Sequence, residues 1–232
     1  MTTRPNPFLE MFRDREQASR YSEGPALFMP GFADVHRMAG VLIRERAPGA
    51  AHVLVHGAGG GLELEAFARE NPEWQLHGVD PAEPMLDAAR ERLGPLNERV
   101  TLQLGFAENV PPGPFDAATS LLTLHFLDAE ERLRTVAELL QRLKPGSPLI
   151  VAHCSFPQSE SERDAWLNRY RDFAIASGAD REMAESAREA VSETVPLFDP
   201  EREEEILRSA GLEEIALFYA AFTWRGWVGY AP

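Results

Sequence analysis

The sequence predicts an α/β fold built on a mostly parallel sheet, and three observations predict it. Strand-like and helix-like segments alternate from residue 52 to residue 153. A glycine cluster, Gly57-Ala58-Gly59-Gly60-Gly61, stands where the first of those strands should end and the first helix begin. Asp80 closes the next strand-like run, about twenty residues farther on. Parallel strands need crossover connections, and the intervening helices supply them with right-handed geometry.

In chain order, the first thirty residues are polar and broken by Pro5, Pro7, Gly24, Pro25 and Pro30, which reads as a short helix and then loop. Phe32, Val35, Met38, Ala39, Leu42 and Ile43 recur at helical spacing, and Pro48-Gly49 ends that helix. His52 to His56 is the first strand, and 62–70 is a helix closed before Pro72. Strands follow at 74–80, 100–104, 115–121 and 149–153, with helices at 84–93 and 130–143 between them. Beyond Pro157 the pattern turns helical and polar, with helices expected over 160–177 and 180–192 as a cap above the sheet edge. Asp199-Pro200 pairs an N-cap with a first-turn proline, and Gly211 stands just past the end of that helix. Residues 212–218 and 222–228 read as a closing antiparallel hairpin. The domain expectation is an N-terminal helical lid over 1–48 and one α/β domain over 49–232, with a helical insertion about 158–198.

The bulk properties narrow the function. The chain has 232 residues, 44% hydrophobic and 26% charged, enough to bury a core without disulfides or metals. Cys154 is the single cysteine, no Cys/His cluster has metal spacing, and a reducing cytoplasm is expected. No stretch is long and apolar enough to span a bilayer, and the first residues lack a signal-peptide core. A net charge of −14 repels nucleic-acid phosphates at long range, so the expected partner is a small-molecule substrate. A homodimer is the expected assembly. Glu201, Glu203, Glu204 and Glu205 read as one solvated helix face.

The chemistry concentrates after the first strand. Gly57, Gly59 and Gly61 permit a tight turn and let a ligand lie against bare backbone at the positive end of a helix. An ordinary flexible turn would use the same residues. Asp80 can accept hydrogen bonds from both ribose hydroxyls; Asp-Pro-x-x-Pro is also a good helix start. A dinucleotide site would place its third glycine one position later, and Gly61-Leu62-Glu63 offers no cation to a phosphate. A neutral or zwitterionic adenosine ligand suits this acidic neighbourhood better.

With these residues in hand, the chain resembles the class I S-adenosylmethionine (SAM)-dependent methyltransferases from about Phe32 to the C-terminus. The resemblance is carried by 53–61, by Gly78-Val79-Asp80-Pro81-Ala82-Glu83-Pro84-Met85-Leu86, by 115–127 and by the Leu143-Lys144-Pro145-Gly146 junction. It implies a seven-stranded Rossmann-like sheet with an antiparallel last strand and a helical cap insertion. It implies SAM as cofactor and no metal. The cofactor-binding set would be Gly57, Ala58, Gly59, Gly61, Asp80, Pro81, Met85, Phe106, Ala107, Glu108, Ser120, Leu121 and Leu122. Two positions depart from the family. Val55 stands where an acidic residue often helps to hold the ammonium group of SAM. Phe106 stands where an aspartate often accepts from the adenine amino group, and could instead cover the ring.

A narrower likeness joins Met29-Pro30-Gly31-Phe32, 122–127 and 218–229 to the carboxy-SAM synthases of tRNA wobble-uridine modification, which use SAM and prephenate. That resemblance implies a cap arginine for the added carboxylate, matched best by Arg188. The remaining catalytic candidates are His125, as a base after the fourth strand, and Tyr21, in a segment that folds over the pocket in the family. His125 as a packing residue, Arg188 as a surface residue and Tyr21 as a loop anchor are the plainer readings. Arg169 and Arg171 could meet an anionic substrate, Trp224 and Trp227 belong to the core, and Cys154 is a small buried hydrophobe. Methyl transfer to a small molecule is the first expectation, carboxy-SAM synthesis the second, and a SAM-fold binding protein without turnover the third.

Overall fold

The computed structural model describes residues 24–232 together with Phe12. Its centre is a seven-stranded sheet in the order β3-β2-β1-β4-β5-β7-β6. The strands are β1 (His52–His56), β2 (Gln75–Asp80), β3 (Val100–Leu104), β4 (Ala117–Leu121), β5 (Pro148–Cys154), β6 (Glu213–Ala221) and β7 (Trp224–Tyr230). Pairings among β1 to β5 are parallel, and β7 runs antiparallel to both β5 and β6. The sheet is therefore Rossmann-like with an antiparallel last strand. The order reverses between β1 and β4, and such a switch point opens a crevice at the carboxyl ends of the strands.

Helices cover both faces: α1 (Gly24–Phe28), α2 (Phe32–Arg46), α3 (Leu62–Glu70), α4 (Glu83–Leu93), α5 (Ala129–Leu140), α6 (Glu160–Ala176), α7 (Arg181–Thr194) and α8 (Pro200–Ser209). Alternate residues of β1 enter opposite cores, as a strand buried on both faces requires. Val53 and Val55 join Val35, Ala39 and Ile43 of α2 and Leu64 and Phe67 of α3. Leu54 joins Val136 and Leu139 of α5 and Leu207 of α8. α2 thus packs into the same core as the sheet.

Caps fix several helix starts. The Asp128 carboxylate accepts from Glu131 N at 2.9 Å while the Glu131 side chain receives the Asp128 N–H, a reciprocal box that starts α5. Asp180 accepts from Glu182 N at 2.8 Å, and Asp199 from Arg202 N at 2.8 Å just ahead of Pro200. The element order follows the sequence pattern, with shifts at the ends. The fourth strand begins at Ala117; Phe115, expected within it, makes only an isolated bridge to Leu143. Within the first thirty residues, expected as a short helix and then loop, the described part holds the short helix α1, where Pro25 occupies a first-turn position that has no use for its missing N–H. The final hairpin is longer than expected, with irregular register along β6.

Candidate functional site

The glycine turn is tied to the sheet before it meets any ligand. Gly57 N and Ala58 N donate to Val79 O of β2 at 2.9 and 3.0 Å. Gly57 and Gly61 have φ of +73° and +79°, the left-handed region that glycine occupies without strain. A Cβ on Gly57 would be driven into the Thr123 side chain, and one on Gly61 would come 3.0 Å from the Ala89 backbone. These glycines therefore let the loop after β4 and helix α4 close onto bare backbone, while Gly60 faces open space.

Asp80, 8% exposed, organises the turn. Its Oδ2 accepts from Gly59 N and its Oδ1 from Ala82 N, both at 2.9 Å. Burial pushes its pKa up to about 6, against the pull of those two bonds. Each oxygen keeps a free lone pair, so the carboxylate can still receive two hydroxyl donors. Met85 is buried beside it, with its Cε 3.4 Å from where a Gly59 Cβ would stand. Pro81 is half-buried. Phe106 is 43% exposed, an unusual position for a large apolar ring, and its N–H is held by Asn109 Oδ1 at 2.8 Å. Ala107 is buried beneath it and Glu108 faces solvent.

On the β4 side, Ser120 and Leu121 are buried and Leu122 has φ +56°. Ser120 Oγ lies 2.9 Å from His56 Nδ1, and burial lowers the His56 pKa to about 4. Phe12 bridges the two sides. It packs with Ala82 and Met85 and meets the Phe126 ring edge-on at 5.9 Å. The structure thus gathers the glycines, Asp80, Met85 and Ser120 to Leu122 at the carboxyl ends of the central strands β1, β2 and β4.

The catalytic candidates fare differently. His125 is buried between Phe126, at 4.2 Å between ring centroids, and Trp224, at 5.7 Å. Burial, reinforced by His153 and Arg132, lowers its pKa well below the usual imidazole value. Its Nδ1 has no hydrogen-bond partner among the described residues. Arg188 spans the cap helices, its Nε on Asn168 Oδ1 at 2.9 Å and its Nη2 paired with Asp164. Arg171 is held by Asp172 and Glu185. Arg169 stacks on Trp166 at 4.3 Å, Arg225 lies over the same ring at 5.7 Å, and neither has a carboxylate partner among the described residues. Tyr21 lies outside the described residues. Trp224, Trp227 and Cys154 are buried, and burial pushes the Cys154 thiol up to about 12.

One expectation is overturned. Glu203 does not belong to a solvated face: it is 0% exposed, paired with Arg132 of α5 and, at 3.1 Å, with His153 Nε2 of β5. Arg132 also donates to Leu127 O and Pro196 O, both at 3.0 Å, tying the loop after β4 to the end of the cap. Glu204, its neighbour, accepts from Trp227 Nε1 at 3.1 Å. Arg132 of α5 draws Glu203 inward, whereas Glu204 keeps a side chain 40% exposed.

Sequence reasoning also passed over Glu63. It stands in the first turn of α3, 6% exposed, and burial pushes its pKa up to about 8. The signal was present: with Leu64, Phe67 and Ala68 it shares the buried stripe of that helix.

Residues 53–146 match the family described as methyltransferase domain. Over that segment the chain carries a methyltransferase domain, and along its length it is similar to SAM-dependent enzymes. It is 27% identical over 208 residues to the carboxy-SAM synthase of Chromohalobacter salexigens, covering 87% of this chain and 76% of that one. Its fold is that of a SAM-dependent methyltransferase from Thermotoga maritima (TM-score 0.57, 22% identity, 97% of this chain and 99% of that one). It is also that of human N-acetylserotonin methyltransferase in complex with SAM (TM-score 0.66, 12% identity, 96% and 58%). The chain spans about three fifths of the length of several solved structures it matches, including that human methyltransferase. The donor set suits SAM: Asp80 offers a buried carboxylate to hydroxyls, Phe106 an open aromatic face, and Glu63 an unused carboxyl oxygen. Among the described residues no cluster of His, Cys, Asp and Glu could hold a metal ion, and no helix is long and apolar enough to cross a membrane.

Proposed function

We propose that this methyltransferase acts on a small-molecule acceptor held between the crevice and the cap helices α6 and α7. The observation that carries the reading is the Asp80 cradle, a buried carboxylate that fixes the glycine turn through Gly59 N and keeps lone pairs free for a ribose. SAM, when bound, supplies a methyl group already activated by its sulfonium. The protein's task is then alignment, which can account for much of a barrier. Asp80 holds the ribose, Pro81, Met85, Phe106, Ala107 and Glu108 border the adenine, and Ser120, Leu121 and Leu122 line the sulfonium side. His125 is neutral because burial disfavours its imidazolium. A full proton at its Nδ1 would be costly, so His125 orients the acceptor and the acceptor is itself a good nucleophile. Arg169 and Arg225 on Trp166 make carboxylate-bearing acceptors the first to try. The net charge of −14 argues against a nucleic-acid acceptor. A homodimer in a reducing cytoplasm completes the reading, with light scattering to test the assembly.

A second reading, carboxy-SAM synthesis, is favoured by a likeness to those enzymes over 87% of the chain. It requires an arginine beside the reacting carbon, and Arg188 is engaged by Asp164 and Asn168. Both are tested by incubating the protein with SAM and a panel of small acids, prephenate included, and reading the nucleoside products by mass spectrometry. S-adenosylhomocysteine (SAH) with a methylated acid supports methyl transfer, and a carboxylated SAM supports the second reading. SAM binding with neither product leaves the third expectation, a binding protein without turnover.

A further inference from the structure

Glu63 and Thr119 are two buried polar side chains that the fold does not use. Glu63 Oε1 and Thr119 Oγ1 are both shielded from solvent and have only each other: the Thr119 hydroxyl acts on the Glu63 carboxyl, and no cation among the described residues pairs with it. A carboxyl buried with one hydroxyl and no cation is rare in native proteins and asks for an explanation. Their location supplies one. Thr119 of β4 is the register partner of Val55 of β1, and register partners project from the same face of a sheet. The Glu63 carboxyl, reaching in from the first turn of α3, therefore lies on the face to which Val55 points, directly after the glycine turn.

The crevice has a direction. Asp80 ends β2, and Met85 and Phe106 lie on the β2–β3 side, so a ligand with its ribose on Asp80 and its adenine toward Phe106 extends its other end over β1 and β4. In SAM that end carries an ammonium group, which needs an acceptor. Asp80 holds Gly59 N and Ala82 N, and its remaining lone pairs face the ribose at the other end of the ligand. Neither His36 of α2, Asp80 of β2 nor Arg92 of α4 pairs with Glu63; Arg92 is held by Gly60 O and Glu65, and Arg99, in the turn packed on α3, by Asn71 O, Trp74 O and Ala68 O. We propose that Glu63 receives the ammonium group of SAM, supplying from helix α3 the negative charge that Val55 does not supply from the strand. The proposal rests on the SAM-binding reading. With its pKa near 8, Glu63 is protonated at pH 7 in the free protein, and an ammonium group can be matched only by its carboxylate. Binding therefore expels that proton to the buffer.

The test is calorimetric titration of the full chain, stripped of ligand, at pH 7 in buffers of different ionisation enthalpy. SAM, SAH and 5′-methylthioadenosine, which lacks the amino-acid end, are compared. Wild type should release about one proton on binding SAM or SAH and none on binding methylthioadenosine. Glu63→Gln should abolish the release and weaken SAM and SAH by about 10- to 100-fold, the range for a hydrogen bond to a charged group. Its methylthioadenosine affinity should be unchanged, which also reports that the variant is folded. SAM binding without proton release, or a Glu63→Gln protein that binds SAM like wild type, overturns the proposal alone. Failure of wild type to bind any of the three overturns the cofactor reading and this proposal with it.

Discussion

A buried acid leaves a mark on stability even with no ligand present, and Glu63 gives the clearest case. Its carboxyl is pushed by burial from the ordinary 4.5 up to about 8. The unfolded chain has released this proton above about pH 5, whereas the native protein keeps it, so the native state binds more protons and stability must fall as pH rises. The loss continues until pH passes the native pKa and then levels off. Below pH 6.5 the signal is mixed: His36 and His56, lowered by burial to about 4, make stability rise with pH, and Asp80, raised to about 6, makes it fall. Between pH 6.5 and 8 the unfolded histidines still shed their last protons, but wild type and a Glu63→Gln variant share that contribution, so the difference between their profiles isolates Glu63. Over that window of about 1.5 pH units, Glu63 costs the fold about 2 kcal/mol, at about 1.36 kcal/mol per unit. For a domain of this size the wild-type melting midpoint should drop by about 4–8 °C relative to that of the variant. Glu63→Gln, which cannot ionise, should show no such drop. Differential scanning calorimetry of both proteins from pH 6 to 9 measures it. Parallel profiles for wild type and variant would refute the reasoning, because Glu63 would then ionise as freely in the native protein as in the unfolded chain.

Other perturbations test the scaffold. Gly57→Ala places a Cβ in the Thr123 side chain at a φ of +73°, and should destabilise by about 2–4 kcal/mol in urea unfolding; adding Thr123→Gly should recover the steric part and leave the backbone strain. Arg132→Met leaves Glu203 charged and buried beside His153, and should cost about 3–5 kcal/mol; a second change, Glu203→Leu, should return most of that stability, since an apolar replacement of the whole pair avoids the unpaired charge. Denaturant midpoints of the single and double variants decide between these outcomes.

What the sequence revealed and what it hid divide along a physical line. Local rules located the strands, because β1, β4 and β5 are short apolar runs and the turns between elements carry glycine, proline or a capping aspartate. The cofactor edge was legible for the same reason: Gly57, Gly59, Gly61 and Asp80 act through backbone geometry and spacing close in the chain. The rest depended on partners far away in sequence. Glu203 reads as solvated until Arg132, 71 positions earlier, is seen to meet it in the core. Arg188 could be a ligand group or a surface group until Asp164, 24 positions earlier, takes its guanidinium. His125 is set by Trp224, which arrives from β7. Glu63 hid for a different reason. A glutamate on the apolar stripe of a helix reads as an imperfection of the pattern, and only its missing partners mark it as a group in waiting.

Asp80 and Glu63 together predict that the crevice favours SAM over its spent form. Both carboxyls are raised by burial, so each negative charge there is expensive and a cation lowers that expense. SAM carries a sulfonium that SAH lacks, while the two share the ribose and the ammonium group. As pH rises through about 6 and Asp80 ionises, the crevice gains a charge that the sulfonium can feel and the thioether cannot. Two unit charges about 8 Å apart at an effective dielectric near 20 interact by about 2 kcal/mol, and solvent entering an open crevice reduces this to about 1 kcal/mol. The affinity ratio of SAM to SAH should therefore rise about five-fold between pH 5 and 7, measured by titrating both ligands across that range. Asp80→Asn should flatten the ratio while weakening both ligands, because the ribose contact is common to them. A ratio that is constant with pH in wild type would mean that the sulfonium sits beyond the reach of Asp80, and that product release is governed by the cap instead of by charge.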